Sequence, residues 1–153
     1  MAGLYFEEFT VGQCFRHALK RTVTETDNLL FSAMTHNPAA LHLDEEYCRE
    51  NSEFGTRIVN SCFTLGLMVG ISVGDTTLGT TVANLGWDEV RFPKPLFHGD
   101  TVRVESEVAE IRESKSRPQN GIVVFIHRAF NQKNELVAQC KRSALMIRKP
   151  QSA

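Results

Sequence analysis

The sequence predicts an α+β protein in which an antiparallel sheet wraps around one apolar helix, and three observations predict it. The first half of the chain is punctuated like a set of helices, whereas from Thr80 onward β-branched and alternating stretches take over. Between them, the run from Val59 to Val73 is almost uncharged, as expected of a helix surrounded by other elements. The third observation is size: 153 residues, 42% of them hydrophobic, suffice for one core and are too few for two conventional domains. Residues 1–153 are therefore expected to form a single domain.

Gly12 to Val23 reads as a first strand. Thr24 with Asp27 three residues on has the form of a capping box, and Leu29, Leu30, Ala33 and Met34 recur at helical spacing, so a helix is predicted over 24–36 and ends before Pro38. The run DEEYCREN suggests a short helix beginning at Asp44. The uncharged run then forms the central helix, where Gly66 and Gly70 would let a sheet approach closely. Thr81–Leu85 leads into Val90–Phe92, and Gly99-Asp100 is a turn signal. Thr101 to Glu107 alternates Val102 and Val104 with Arg103 and Glu105, the period of a half-buried strand. Gly121–Phe130 and Leu136–Ile147 are two long strands joined by a turn at Asn131–Asn134, and residues 113–120, ESKSRPQN, form a polar connection. Trp87, the only tryptophan, is expected to pack in the sheet.

Composition excludes several classes. Lys+Arg number 17 and Asp+Glu 18, a formal charge of −1, with no block of like charge to follow a nucleic-acid backbone or an anionic membrane. The longest apolar stretch, Phe63 to Val73, is shorter than the roughly 20 residues a membrane-spanning helix needs. Cys14, Cys48, Cys62 and Cys140 form no C-x-x-C pair, which argues against a metal or redox motif and for thiols of a reducing compartment. The start MAGLYFEEFTVG has no basic residue ahead of an apolar run, so a cytoplasmic location is expected.

Three blocks give the chain a family resemblance: YFEEFTVGQCF, FSAMTHNPAALHLDEEYCRENSEFGTRIVNSCFTLGL and VRFPKPLFHGDTVRVESEV. It resembles the MaoC-like dehydratases, hot-dog-fold enzymes that include the R-specific enoyl-CoA hydratases, over nearly its whole length. The resemblance implies a sheet wrapped round the Val59–Val73 helix, a homodimer with sites at or near the interface, and an acyl-CoA substrate. It implies no cofactor beyond the coenzyme A carried by the substrate.

It also implies where the chemistry lies. The family's D-x-N-P-[LI]-H places an acid and a histidine against one water, because hydrating an unsaturated thioester requires one proton to leave the water and one to reach the α-carbon. Holding the histidine fixed puts His42 on the catalytic His and Asn37 on the catalytic Asp. Matching Asn37-Pro38 to the family's N-P instead puts Thr35 at the Asp position, with two extra residues before His42. Neither register restores the carboxylate. An amide positions water or substrate but takes no proton at neutral pH. Asp44, two residues past His42, is the nearest carboxylate to stand in for the acid, holding the imidazole in one tautomer or acting itself; in the plainer reading it caps the following helix. His36 reads as a second pocket imidazole or as a solvated helix end.

Downstream, Phe54 to Ser61 is similar to the family's F-x-x-R-I-V-H-G, whose glycine opens the central helix. Asn60 and Ser61 stand at its His and Gly positions and are candidates to bind the thioester, with Asn60 as N-cap in the plainer reading. These departures add donors and remove an acid, which suits a short branched or dicarboxylic acyl-CoA of the mesaconyl or methylmalyl type. Lys115 and Arg117 are candidates for the coenzyme A phosphates, with Arg91 as another option, against the plainer reading of a solvated loop. Three activities remain open: a hydratase or dehydratase, a hot-dog thioesterase, and a non-catalytic thioester-binding subunit.

Overall fold

The computed structural model describes residues 3–150; residues 1, 2 and 151–153, the ends of the expected domain, lie outside. After a turn of 3-10 helix at Phe6–Glu8, the elements are β1 (Cys14–Arg16), β2 (Arg21–Thr22), α1 (Glu25–Met34), α2 (Ala40–Leu43), α3 (Glu45–Asn51), α4 (Ser61–Thr76), β3 (Thr81–Arg91), β4 (Thr101–Glu113), β5 (Asn120–Phe130) and β6 (Leu136–Ile147). All strand pairs are antiparallel, in the order β1-β4-β5-β6-β3, and β2 also pairs with β4. This is the hot-dog fold: one sheet curled around the single long helix α4.

The wrapping is driven by apolar burial. Met68 and Ile71 of α4 meet Val102, Val104, Ala129, Val137, Ala138 and Cys140 on the inner face of the sheet. In β4 the alternation continues past the predicted Glu107, with Val102, Val104, Ser106 and Val108 all buried. A second cluster around Phe6, Phe9, Val108, Phe125 and Met146 fills the far end. There the Phe6 ring lies directly on Gly121, where a Cβ would fall 2.1 Å from Phe6 Cδ2.

Several expectations need correction. The first strand is broken: Arg16 pairs with Glu105 but Arg21 with Val102, so two residues of this segment are looped out. The cause is His17, which turns inward to Asp75 at the end of α4 (Nδ1–Oδ2, 2.8 Å) and to Ser106 (Nε2–Oγ, 2.8 Å). Ser106 Oγ in turn meets His127 Nδ1 at 2.7 Å. Burial, then the charge of Arg142, pushes the His127 imidazole down to about 3. Gly66 and Gly70 do not face the sheet. They lie on the exposed side of α4, with nothing within 4 Å of an added Cβ, because the side facing the sheet is taken by Thr64, Met68 and Ile71. Trp87 is not packed away either, being 47% exposed on the edge strand β3.

The contact at Gly121 is directly testable. Gly121→Ala should lower the unfolding free energy by about 1–3 kcal/mol, measured by urea denaturation, because the ring has packed neighbours behind it.

Candidate active site

The capping box at Thr24 is real: its hydroxyl accepts from Asp27 N at 3.2 Å and Asp27 Oδ2 accepts from Thr24 N at 2.8 Å. The apolar residues whose spacing predicted the helix do not form its buried face. Leu30 and Met34 are 58% and 72% exposed, while the buried positions of the helix are Asn28 and Ser32.

Asn28 is fully buried and joins four segments. Its Nδ2 donates to His42 O (3.2 Å), Ile58 O (3.1 Å) and His98 Nε2 (2.9 Å), sharing two N–H groups among three acceptors. Its Oδ1 accepts from Asn60 N at 2.8 Å. Burial, then the Arg57 charge, lowers the His98 pKa, which suits the acceptor role of Nε2.

His42 stands in α2, half-buried. Its Nδ1 lies 2.9 Å from Ile58 O, and since a carbonyl only accepts, Nδ1 carries the hydrogen. The tautomer is thereby fixed, leaving Nε2 with a free lone pair. Outside this pair, Arg57 bridges Glu25 (2.8 Å) and Glu45 (2.9 Å), tying α1, α3 and the 52–60 loop together. Hydrogen bonds from the Arg57 side chain, the Thr56 hydroxyl and the Arg57 backbone draw the Glu45 carboxyl down to about 2.

Asn60 caps α4, accepting from Cys62 N at 3.0 Å, and is buried. Ser61, the first helical residue, is exposed, and its N–H points out of a helix end with partial positive charge. Beside it lies a cavity of about 380 Å³, lined by Phe54, Ile58, Ser61, Lys94, Leu96 and Val137 among others. His42 is not a lining residue. It is joined to the cavity through Ile58, whose carbonyl it bonds.

The other expected residues fall elsewhere. Asn37 Oδ1 accepts from Ala39 N at 3.0 Å, an Asx turn ahead of Pro38, and no hydrogen bond joins it to His42. Thr35, which stands at the acid's position in the other register, is exposed. Its hydroxyl donates back to Phe31 O at 2.8 Å. Asp44 caps α3, accepting from Tyr47 N at 2.9 Å, and is exposed. His36 is an exposed helix end with φ +53°. Lys115 and Arg117 are exposed in the β4–β5 turn, separated from the site end of β4 by its 13 residues, about 40 Å of strand. Within this chain they are not brought to His42. Asn28, His98, Arg57 and Lys94 were not anticipated. For Asn28 the signal was a polar pair, Asn28 and Ser32, one helical turn apart. Among the described residues, no group of three His, Cys, Asp or Glu side chains could hold a metal ion.

A single long helix wrapped by an antiparallel sheet, with an oriented imidazole one residue away from a cavity at the helix N-terminus, defines a hot-dog protein. The chain belongs to the MaoC like domain family, whose model matches residues 7–129. A mesaconyl-CoA hydratase from Cereibacter sphaeroides is 35% identical over 99% of this chain and 43% of its own length. A β-methylmalyl-CoA dehydratase from Chloroflexus aurantiacus is 30% identical over 96% of this chain and 41% of its own length. The chain therefore spans less than half of these two curated relatives. The crystal structure of a MaoC-like dehydratase from Rhodospirillum rubrum has a TM-score of 0.83 at 28% identity, covering 97% of this chain and 99% of that one.

Two outcomes follow from the geometry. Asn28→Ala should cost about 2–4 kcal/mol in chemical denaturation, because it strands buried carbonyls and the Asn60 N–H. Glu45 ordinarily titrates near 4.5, and its folded value is about 2. Its contribution is thus complete above about pH 4.5 and is lost as pH falls toward 2. Denaturation midpoints of wild type and Glu45→Gln should differ at pH 5 and converge near pH 2.

Proposed function

We propose that the chain acts as an acyl-CoA hydro-lyase, adding water to, or removing it from, an α,β-unsaturated thioester, with a short branched or dicarboxylic acyl group of the mesaconyl or methylmalyl type. The observation that carries this reading is His42, whose Nδ1–H is committed to Ile58 O and whose Nε2 is left as a base. In hydration, Nε2 takes a proton from water as its oxygen bonds the β-carbon. The electrons move to the thioester oxygen, where the Ser61 N–H and the α4 N-terminus stabilise the enolate. The imidazolium then returns its proton to the α-carbon, and dehydration runs the same steps backward. One group thus does both proton transfers, consistent with the missing acid at Thr35 and Asn37. Asn60 serves by capping the helix, and Asn37 and Asp44 by shaping the turns on either side of α2. Relatives acting on mesaconyl-CoA and β-methylmalyl-CoA support the acyl group.

The same reading includes a homodimer. The apolar side of α1, with Leu29, Leu30 and Met34, and the edge strand β3, with Val82, Leu85 and Trp87, are exposed to an extent that favours cover by a second copy. The four cysteines are free, in keeping with a cytoplasmic setting. No helix among the described residues is long and apolar enough to cross a membrane.

Purified protein should consume mesaconyl-CoA with loss of enoyl absorbance and no thiol release, and His42→Ala should lower kcat by roughly 10²–10⁴-fold. Thiol release would instead indicate a thioesterase, and binding without either signal a non-catalytic subunit. Sedimentation velocity should report twice the chain mass, falling to the chain mass in a Leu30→Asp, Trp87→Asp double variant.

A further inference from the structure

Two sources of positive charge border the cavity beside α4, and no acidic side chain lines it. One is the helix N-terminus at Ser61. The other is Lys94, the only ionisable side chain in the lining. Lys94 forms no ion pair with any described carboxylate, whereas Arg57 holds two and Lys149 is paired with Glu8 at 2.9 Å. It is flanked by Pro93 and Pro95, both also in the lining, and their fixed φ angles stiffen the backbone from which the flexible side chain extends. Leu96 continues from this segment into the core, and its carbonyl accepts from Val59 N at 2.8 Å, one residue before the helix cap. The ammonium is therefore carried on a short, braced stretch attached to the oxyanion-binding end of the site.

A plain enoyl thioester would use only the helix end. We propose that Lys94 is a specificity-determining residue that binds the free carboxylate of a short dicarboxylic acyl thioester, a role that rests on the thioester reading above. The chemistry favours it. An ionised carboxylate on the β-carbon withdraws electrons poorly and repels the enolate charge that forms on water addition. Pairing it with an ammonium reduces both effects, and the attraction grows as the cavity excludes water. The phosphates of coenzyme A would offer the same anionic chemistry, so the test must separate the two sources.

Equilibrium binding of succinyl-CoA and butyryl-CoA does so, because the two saturated esters share the coenzyme and differ in the terminal carboxylate. Wild-type protein should bind succinyl-CoA about tenfold or more tightly than butyryl-CoA. Lys94→Gln should bring that ratio to near one, and Lys94→Arg should restore most of it. A ratio near one in wild type, or a ratio that Lys94→Gln leaves intact, overturns the assignment. An equal loss for both esters, which would put Lys94 on the coenzyme phosphates, overturns it equally. Hydration of mesaconyl-CoA is measured alongside. If wild type binds with the expected preference but hydrates nothing, the hydro-lyase reading fails while the carboxylate assignment stands.

Discussion

The buried side chain of Asn28 is the interaction on which the site depends. One carboxamide holds the carbonyls of His42 and Ile58, the ring of His98 and the backbone N–H of Asn60. The imidazole and the helix N-terminus belong to different segments, and this is the group that gives them a common origin. Each partner, left unmade in the interior, would cost on the order of 1–3 kcal/mol, so the arrangement is held by the desolvation penalty of every alternative. The Arg57 pairs with Glu25 and Glu45 brace the same segments from outside, where solvent screens them and a smaller contribution is expected.

An inward-facing Asn28 obliges the rest of α1 to face outward. In an ordinary surface helix the leucines would be buried, yet here they are at the surface and the polar pair Asn28 and Ser32 is within. The edge strand β3 repeats the pattern, with apolar side chains exposed and three register shifts along its pairing with β6. The site is thus built at the expense of a self-sufficient surface, which links its chemistry to the assembly proposed for it.

Features set by contacts within a few residues were legible in the sequence. The Thr24–Asp27 box, the Asp44 cap, the Asn60 cap and the Asn131–Asn134 turn each close on themselves, so their residue types announce them. The lengths of β5 and β6 and the alternation of the start of β4 were equally plain. Features set by distant partners were not. Asn28 bonds residues 14, 30, 32 and 70 positions away, and the one local mark on it, Ser32 a helical turn on, says nothing of those partners. Helical periodicity located the apolar stripe of α1 but not which way it faces. His17 broke the first strand through Asp75, 58 positions on. The charges of Lys115 and Arg117 were visible, but not the end of the sheet at which they would lie. Lys94 was visible too, and only the cavity gives it a setting.

The chain order of the sheet also dictates an order of assembly. Strands β4, β5 and β6 are neighbours joined by short turns, and their hairpins close small loops. Phe15 pairs with Ser106 and Trp87 with Arg142, which are long closures paid only after those hairpins exist. On the ribosome, the segment carrying His42 and the start of α4 emerges before β3, β4, β5 and β6, the long strands of the sheet. Asn28 must then wait for His98, 70 residues later, to complete its partners. The segment proposed to carry the chemistry is therefore synthesised well before the residue that completes its buried hydrogen bonds.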